Sequence, residues 1–249
     1  MQMKRTLILL LSTLVLQVGN SQAQIFKKLN KALNNNTSTS NNNNGAANVT
    51  EGEAGSGIKE ALSKGVNAGI AMLSKKDGFF GNEAYKLLLP PDAVKVGNTL
   101  RSLGLGSLVD QAILQINRSA EKAVGHAAPI FVGAIKQMTL TDALNLLKGG
   151  NNSATEYFKS KTTDQLKAAF APVIKGSLDS TSATRYYGDI VNKYNALPTT
   201  FNKINPDLQD YVTGMAVNAL FDQIAKEEAN IRANPAARST ELLKKVFGK

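Results

Sequence analysis

The spacing of apolar residues constrains the fold of this chain more than any other feature of its sequence. Ile58, Leu62, Val66, Ile70 and Leu73 follow one another at intervals of three and four residues, which places all five on one face of a helix. A half-buried strand would instead alternate apolar and polar residues at every second position. No run of alternating β-branched residues is long enough to predict a strand, so the spacing predicts an all-α fold.

A stripe of small residues lies beside this apolar face. Ala61, Gly65 and Gly69 recur every four residues, and a helix surface without large side chains lets another helix approach closely. The cost of the stripe is up to ~1 kcal/mol of helix propensity for each glycine. The stripe therefore predicts a neighbouring helix packed close against this one.

Helix start and stop signals divide the remaining sequence. Pro90-Pro91-Asp92 opens a helix that Gly104 is expected to end, and a longer helix carries an apolar face from Val109 to Ala127. Pro129 is expected to kink or break that longer helix, because proline removes a backbone donor. A last long helix carries its apolar face from Leu208 to Ile224.

Further signals mark the remaining helix ends. Asn234-Pro235 is expected to stop the last long helix, and a short terminal helix is predicted from Thr240 to Phe247. A capping box pairs Ser or Thr with an acidic or amide residue three positions later. Such pairs occur at Ser107 and Asp110, Thr139 and Asp142, Ser153 and Glu156, and Thr162 and Gln165.

The N-terminus has the residue order of a secretory signal peptide, residues 1–23. Lys4 and Arg5 precede an apolar run that ends at Leu16, and the small residues Ser21 and Ala23 fit the positions before a cleavage point. The run is shorter than the roughly 20 residues that a transmembrane helix needs, so cleavage after Ala23 is expected. The chain has no cysteine to accept a lipid. We therefore expect a periplasmic protein that is not a lipoprotein.

Residues 24–57 are predicted to form a disordered, Asn-rich linker. From Asn34 onward this stretch has almost no large apolar residue, so it cannot bury enough surface to offset the entropy of ordering. Its first residues, from Ile25 to Leu33, form a short basic amphipathic segment that would favour a membrane surface if it were helical. The remaining residues, 58–249, are predicted to form a single irregular multi-helix bundle.

The charge balance and residue usage limit the classes of partner. The formal net charge of +10 favours an anionic envelope component, or another envelope protein, over nucleic acid, because the chain is expected to be exported. A solvated surface without a partner is the alternative. With no cysteine and with His126 as its one histidine, the chain offers no thiolate or two-His metal site, and no cofactor is expected. His126 is predicted to lie at a helix end on the surface.

Several motifs occur in a characteristic order along the chain. They are Asp77-Gly78-Phe79 before Asn82, Leu88-Leu89-Pro90, Asn117 to Glu121, Met138 to Ala143, Ala154 to Phe158, and Glu227-Glu228 running to Pro235. Together they resemble the bacterial envelope family catalogued as Domain of Unknown Function 4197, over essentially all of residues 58–248. The resemblance implies a helical domain behind a signal sequence in Gram-negative bacteria, with no established activity.

Two groups of polar residues are candidates for a binding site or a structural polar network. Each contains a pair four residues apart, which shares a helix face. The groups are Asn117, Arg118 and Glu121, and Glu227, Glu228, Arg232, Asn234 and Arg238. Because long helices with apolar stripes pack together, the groups are expected to meet, with Arg232 facing Glu121.

Two functions remain open from the sequence. One is a non-enzymatic periplasmic binding or interaction module, favoured by the basic charge and by the absence of a recognisable catalytic motif. The alternative is a carboxylate-dependent hydrolase or lytic enzyme acting on an envelope polymer, in which Glu121 and Glu228 would converge within ~5–10 Å. No catalytic residue is assigned on sequence grounds.

Overall fold

Helices form most of the described part of the chain. The computed structural model describes residues 49–180, 182–196, 198, 203–205, 207–234 and 240–247. The predicted signal peptide, residues 24–48 of the predicted linker, and Arg238 lie outside the described residues.

Most of the helices follow one another through short connections; the longer connections span residues 75–90 and residues 196–207. The helices are α1 (Glu51–Ser74), a 3-10 turn (Pro91–Ala93) leading into α2 (Val94–Ser102), α3 (Gly106–Val124), α4 (Ala128–Gln137), α5 (Leu140–Lys148), α6 (Ser153–Asp179), α7 (Ser182–Asn195), α8 (Leu208–Ala233) and α9 (Glu241–Phe247). The described residues contain no strand. The all-α prediction is confirmed.

Helix α8 lies at the centre of the bundle. It packs against α1, α3 and α6, and residues such as Val212, Ala216 and Leu220 are completely buried. A helix that is buried on several sides needs apolar or small residues around most of its circumference. The predicted apolar face is correct except at Met215, which is exposed.

The small-residue stripe of α1 packs against α8, as the sequence predicts. A Cβ atom added to Gly65 would lie 3.5 Å from the Cβ of Glu227, and one added to Gly69 would lie 3.4 Å from the Cγ of Gln223. Further toward the N-terminus, a Cβ at Gly57 would lie 2.7 Å from a methyl group of Val246 in α9. The stripe therefore brings both C-terminal helices close to the α1 backbone.

The folded domain begins earlier than the sequence predicts. Helix α1 starts at Glu51, and Thr50 forms a capping box with Glu53. Residues 51–57 are therefore helical, and the predicted linker boundary after Gly57 is wrong. Ala54 and Gly57 are buried directly beneath neighbouring helices. This close packing leaves room only for small side chains, so the stretch contains no large apolar residue.

The predicted turn and break signals are largely correct. Gly104 follows α2 with a φ of 78°, a left-handed conformation that glycine adopts without steric cost. The break before Pro129 is confirmed, since α3 ends at Val124 and α4 begins at Ala128. The capping box of Thr139 with Asp142 is present at the start of α5.

The other predicted capping boxes are wrong. Helix α3 begins without a side-chain cap, and Asp110 instead forms an ion pair with Arg101 of α2. Thr162 lies inside α6, where its hydroxyl donates to the carbonyl of Phe158. Ser153 begins α6 without capping it. In none of the three cases does the Ser or Thr side chain accept a hydrogen bond from the first turn of a helix. The motif alone therefore does not determine a cap.

Candidate functional site

The first polar group holds the irregular segment that connects α1 to the 3-10 turn, residues 75–90, which we call the connecting segment. Glu121 is buried on α3, and its Oε1 accepts the backbone N–H groups of Phe79 at 3.1 Å and Phe80 at 3.2 Å. Its Oε2 accepts a hydrogen bond from Arg118 at 2.7 Å. Both carboxylate oxygens are thus occupied inside the protein.

Arg118 extends this network to the start of the connecting segment. Its second terminal nitrogen donates to Asp77 at 2.7 Å. The pKa of the Arg118 guanidinium is raised, first by its hydrogen bond to Glu121 and then by the one to Asp77. Asp77 has a φ of 66°, and a Cβ at the next residue, Gly78, would collide with the carbonyl oxygen of Leu73. The segment therefore turns tightly here around a position that has no room for a side chain.

Asn117 holds the connecting segment one turn further back along α3. Its side-chain oxygen accepts the N–H of Leu87 at 2.8 Å, and its amide nitrogen donates to the carbonyl of Leu87 at 2.8 Å and of Ile113 at 2.7 Å. A buried backbone N–H and C=O need partners. Asn117 supplies both partners of Leu87 at once.

Tyr85 makes a third anchor, which the sequence analysis missed. Its hydroxyl lies 2.7 Å from a carboxylate oxygen of Asp222 and 2.9 Å from the side-chain oxygen of Gln223, and it accepts from Lys226 at 2.8 Å. Burial raises the pKa of Tyr85, whereas the hydrogen bond from Lys226 lowers the pKa of Asp222. The spacing of Asp222 and Lys226, four apart on α8, was the available sequence signal.

The second polar group caps helix α6 from another helix. Glu228 is buried on α8 and accepts the backbone N–H groups of Ala154 at 3.1 Å and Thr155 at 3.0 Å, together with the Thr155 hydroxyl at 2.8 Å. The first N–H groups of a helix have no partner within the helix, and they attract negative charge. Glu228 supplies both the acceptor and the charge.

Arg232 completes this second group. Its Nε and Nη2 donate to Glu228 at 3.0 Å and 2.9 Å, and Nη2 also lies 2.9 Å from the carbonyl of Leu146 and from the hydroxyl of Ser153. The adjoining cavity has a volume of about 30 Å³ and mostly apolar walls, with room for about one or two water molecules. The geometry is that of a helix junction held by paired polar groups.

The two groups do not meet as predicted. Arg232 forms its ion pair with Glu228, Glu121 forms its ion pair with Arg118, and no ion pair between described residues joins the two groups. The prediction that Arg232 faces Glu121 is wrong. Each carboxylate instead binds the backbone N–H groups nearest to it, and each arginine lies one helical turn from its own acid.

The remaining candidate residues lie at the edge of the second group. Glu227 accepts a hydrogen bond from Gln223 at 3.1 Å, and Asn234 ends α8 as its C-cap. His126 is exposed in the turn between α3 and α4, as predicted. Among the residues that the structure describes, no group of three His, Asp or Glu side chains could hold a metal ion.

Two cationic side chains lie at the half-buried ring of Phe80, whose backbone N–H binds Glu121. The Nζ of Lys86 lies 4.5 Å from the centroid of this ring, and the guanidinium carbon of Arg118 lies 5.6 Å from it. Three exposed lysines lie close in sequence to these residues. We call the set the basic face, and it comprises Lys75, Lys76, Phe80, Lys86, Arg118 and Lys122.

The lysines of the basic face have no acidic partner. Lys75, Lys76, Lys86 and Lys122 are exposed, and none of them forms an ion pair with a described residue. Only Arg118 is neutralised, by Glu121 and Asp77. The surface therefore carries a local excess of positive charge.

Comparison with known proteins yields one match. A family model described as a protein of unknown function (DUF4197) matches residues 48–248, in agreement with the resemblance seen in the motifs. No curated protein and no solved structure matches the chain. The matched region begins beside Val49, where the described domain begins.

Proposed function

This chain belongs to the DUF4197 family of proteins of unknown function, and from that premise we propose that it is an exported, non-enzymatic binding module of the periplasm. Its ligand is an anionic component of the bacterial envelope, and the basic face is the surface that binds it. Signal-peptide cleavage after Ala23, without a lipid anchor, is part of the same proposal. N-terminal sequencing of the protein from a periplasmic extract tests the location, and retention of Met1 in the membrane fraction would contradict it.

One observation carries the binding proposal: two cationic side chains are held over one aromatic ring, beside lysines that have no acidic partner. A cation near an aromatic face is attracted to the negative charge of that face. Lys86 and Arg118 both lie at the ring of Phe80, and Arg118 is already paired with Glu121 and Asp77. An anionic group that binds here is therefore attracted to Lys86 and gains the positive potential of the neighbouring lysines.

The anchors of the connecting segment support the proposal, because they fix this surface before a ligand arrives. Glu121 binds the segment at Phe79 and Phe80, Asn117 binds it at Leu87, and Tyr85 of the segment binds Asp222 of α8. A surface that is already ordered loses less conformational entropy on binding. The buried polar residues thus act on the ligand indirectly, by positioning Phe80 and Lys86.

The geometry gives no support to the hydrolase alternative. A catalytic acid or base must come within hydrogen-bonding reach of its substrate, but the oxygens of Glu121 and Glu228 bind backbone N–H groups and an arginine. Both carboxylates are buried. They bind different segments of the chain and line no shared cleft, which the paired-acid mechanism requires.

The test is binding of the full chain to two anionic probes, inorganic polyphosphate and vesicles of phosphatidylglycerol with phosphatidylcholine. Replacing the four lysines of the basic face with glutamine is expected to weaken binding roughly tenfold or more. A charge-matched control replaces four exposed lysines of α4, α5 and α6 that form no ion pair with a described residue: Lys136, Lys148, Lys161 and Lys167. The proposal is wrong if both variants lose binding equally, or if the native chain binds neither probe.

A further inference from the structure

Exposed apolar side chains are concentrated on α2 and on the turns at its two ends. Leu88, Val94, Leu103 and Leu105 are 56%, 45%, 68% and 42% exposed. The other large apolar residues with comparable exposure in the described part of the chain are Leu140, Tyr194 and Met215, and each lies on a different helix. We call the four clustered residues the apolar edge.

The apolar edge is separate from the inner face of α2, because that inner face already packs against Leu89 and Val109. Gly97 is buried, and a Cβ added there would lie 2.8 Å from a methyl group of Leu89 and 3.7 Å from one of Val109. An ion pair between Arg101 and Asp110 fastens α2 to α3. The exposed residues are therefore held outward by a hairpin that is fixed on its other side.

The apolar edge and the basic face meet at Lys86 and Leu88. Tyr85, Leu87 and Leu89 are buried, whereas Lys86 and Leu88 between them are exposed. Side chains that alternate in this way point to opposite sides of an extended chain. Lys86 and Leu88 therefore face outward together, so that a cationic and an apolar residue present themselves to the same partner.

We propose that this partner is the surface of a lipid bilayer that contains anionic lipids, bound peripherally. Lysines of the basic face contact the headgroup phosphates, while Leu103 and Leu105 enter the boundary between headgroups and acyl chains. A soluble polyanion satisfies the lysines but offers no apolar phase for the leucines. This proposal rests on the proposed function, and it identifies the anionic envelope component as anionic lipid.

Contact at the surface is compatible with the helices that the structure describes. None of them combines the length and the apolar character that are needed to cross a bilayer. Exposed leucines on a fixed turn, together with the lysines of the basic face, instead give a shallow contact whose strength depends on both charge and apolar area. Removing the lysines or the leucines should weaken binding to vesicles. Removing the leucines should leave binding to a soluble polyanion unchanged.

The first experiment uses the absence of tryptophan from the chain. Leu103→Trp places a single tryptophan on the apolar edge, and Leu140→Trp places one at an exposed leucine of α5 as the matched control. On adding phosphatidylglycerol vesicles, the emission of Leu103→Trp is expected to shift to shorter wavelength, and that of Leu140→Trp is expected to stay. A local reporter also separates this surface from the basic segment predicted between Ile25 and Leu33.

The second experiment compares lipid with a soluble polyanion. Leu103→Ser with Leu105→Ser is expected to weaken vesicle binding by roughly tenfold or more and to leave polyphosphate binding unchanged, whereas Leu140→Ser should change neither. Unchanged vesicle binding by the double variant, or no emission shift for Leu103→Trp, would overturn the lipid inference while polyphosphate binding kept the proposed function intact. Failure of the native chain to bind either probe would instead overturn the proposed function.

Discussion

Glu121 and Glu228 use the same set of bonds in two different settings. Each is a buried glutamate that accepts two consecutive backbone N–H groups and pairs with an arginine on its own helix. Glu121 binds an irregular segment at the surface, and Glu228 binds the first turn of a long helix in the interior. The arginine side chains differ accordingly, with Arg118 27% exposed and Arg232 18% exposed.

The difference shows that the same interaction can either stabilise the core or fix the conformation of a surface segment. Glu228 completes α6, which packs against α3, α4 and α8, so its loss affects most of the core. Glu121 fixes a segment whose outer side carries the basic face, so its loss affects mainly that surface. The predictions below test this division, beginning with the largest expected change.

Glu228→Ala should cause the greatest loss of stability. The substitution leaves Arg232 without its counter-charge and leaves the N–H groups of Ala154 and Thr155 without an acceptor. Breaking a buried pair in this way costs ~3–5 kcal/mol of the free energy of unfolding. Urea denaturation of the native protein and of the variant measures this loss of free energy. Glu156→Ala, in the same first turn but exposed and paired only with Lys159, is the control and should lose almost nothing.

Glu121→Gln should have a smaller and more local effect. The amide retains one oxygen acceptor, and water reaches the partly exposed Arg118, so a loss of ~1–3 kcal/mol is expected. Hydrogen exchange should accelerate at the amides of Phe79 and Phe80, while α6 keeps its protection. Equal acceleration throughout α6 would contradict the division between the two glutamates.

Glu53 extends the comparison to a partly buried glutamate at the surface with the same kinds of partner. It accepts from Thr50 and pairs with Lys245 of α9. These hydrogen bonds, the one from Lys245 first, lower the pKa of Glu53 from its usual 4.5 to about 2. A lowered folded-state pKa stabilises the protein above the unfolded pKa, and the contribution disappears as the pH falls through the folded one.

We therefore expect the native protein to have a slightly higher melting temperature than Glu53→Gln at neutral pH. The difference should shrink below about pH 4.5 and vanish near pH 2. Glutamine at this position still suits a capping box, so the comparison isolates the charge. A difference that is independent of pH would show that the ion pair with Lys245 contributes nothing.

The smallest expected value is the coupling between the two polar groups. Glu121→Gln and Arg232→Gln alter networks with separate hydrogen-bond partners among the described residues, so their effects on unfolding should add to within ~0.5 kcal/mol. A double-mutant cycle gives this number directly. Coupling well above that limit would mean that the groups communicate, contrary to their separate hydrogen bonds.

Sequence reasoning recovered the parts of the fold and site that depend on local spacing. The apolar faces of α1 and α3, the end of α8 at Ala233, and the grouping of Glu228 with Arg232 all follow from intervals of three and four residues. What the carboxylates bind does not follow from spacing, because Ala154 lies 74 residues from Glu228 and Phe79 lies 42 residues from Glu121. Such partners are chosen by tertiary packing.

The start of the domain was mistaken for a related reason. When only large apolar side chains are counted, residues 51–57 bury too little surface to offset the conformational entropy lost on ordering. Their small residues are buried because the backbone itself approaches Val246 and Leu140. The signal peptide and the remainder of the linker stay predictions from sequence alone.

The central position of α8 has a consequence for the order of folding. Helix α8 begins at Leu208 and packs against α1, α3 and α6. The central helix of the core is therefore missing until nearly all of the chain has been synthesised. Contacts between distant parts of a sequence form slowly, since a long loop must close first. Under the export that we propose, this delay would keep the earlier helices without the partner that commits them to a finished structure until the chain has crossed the membrane.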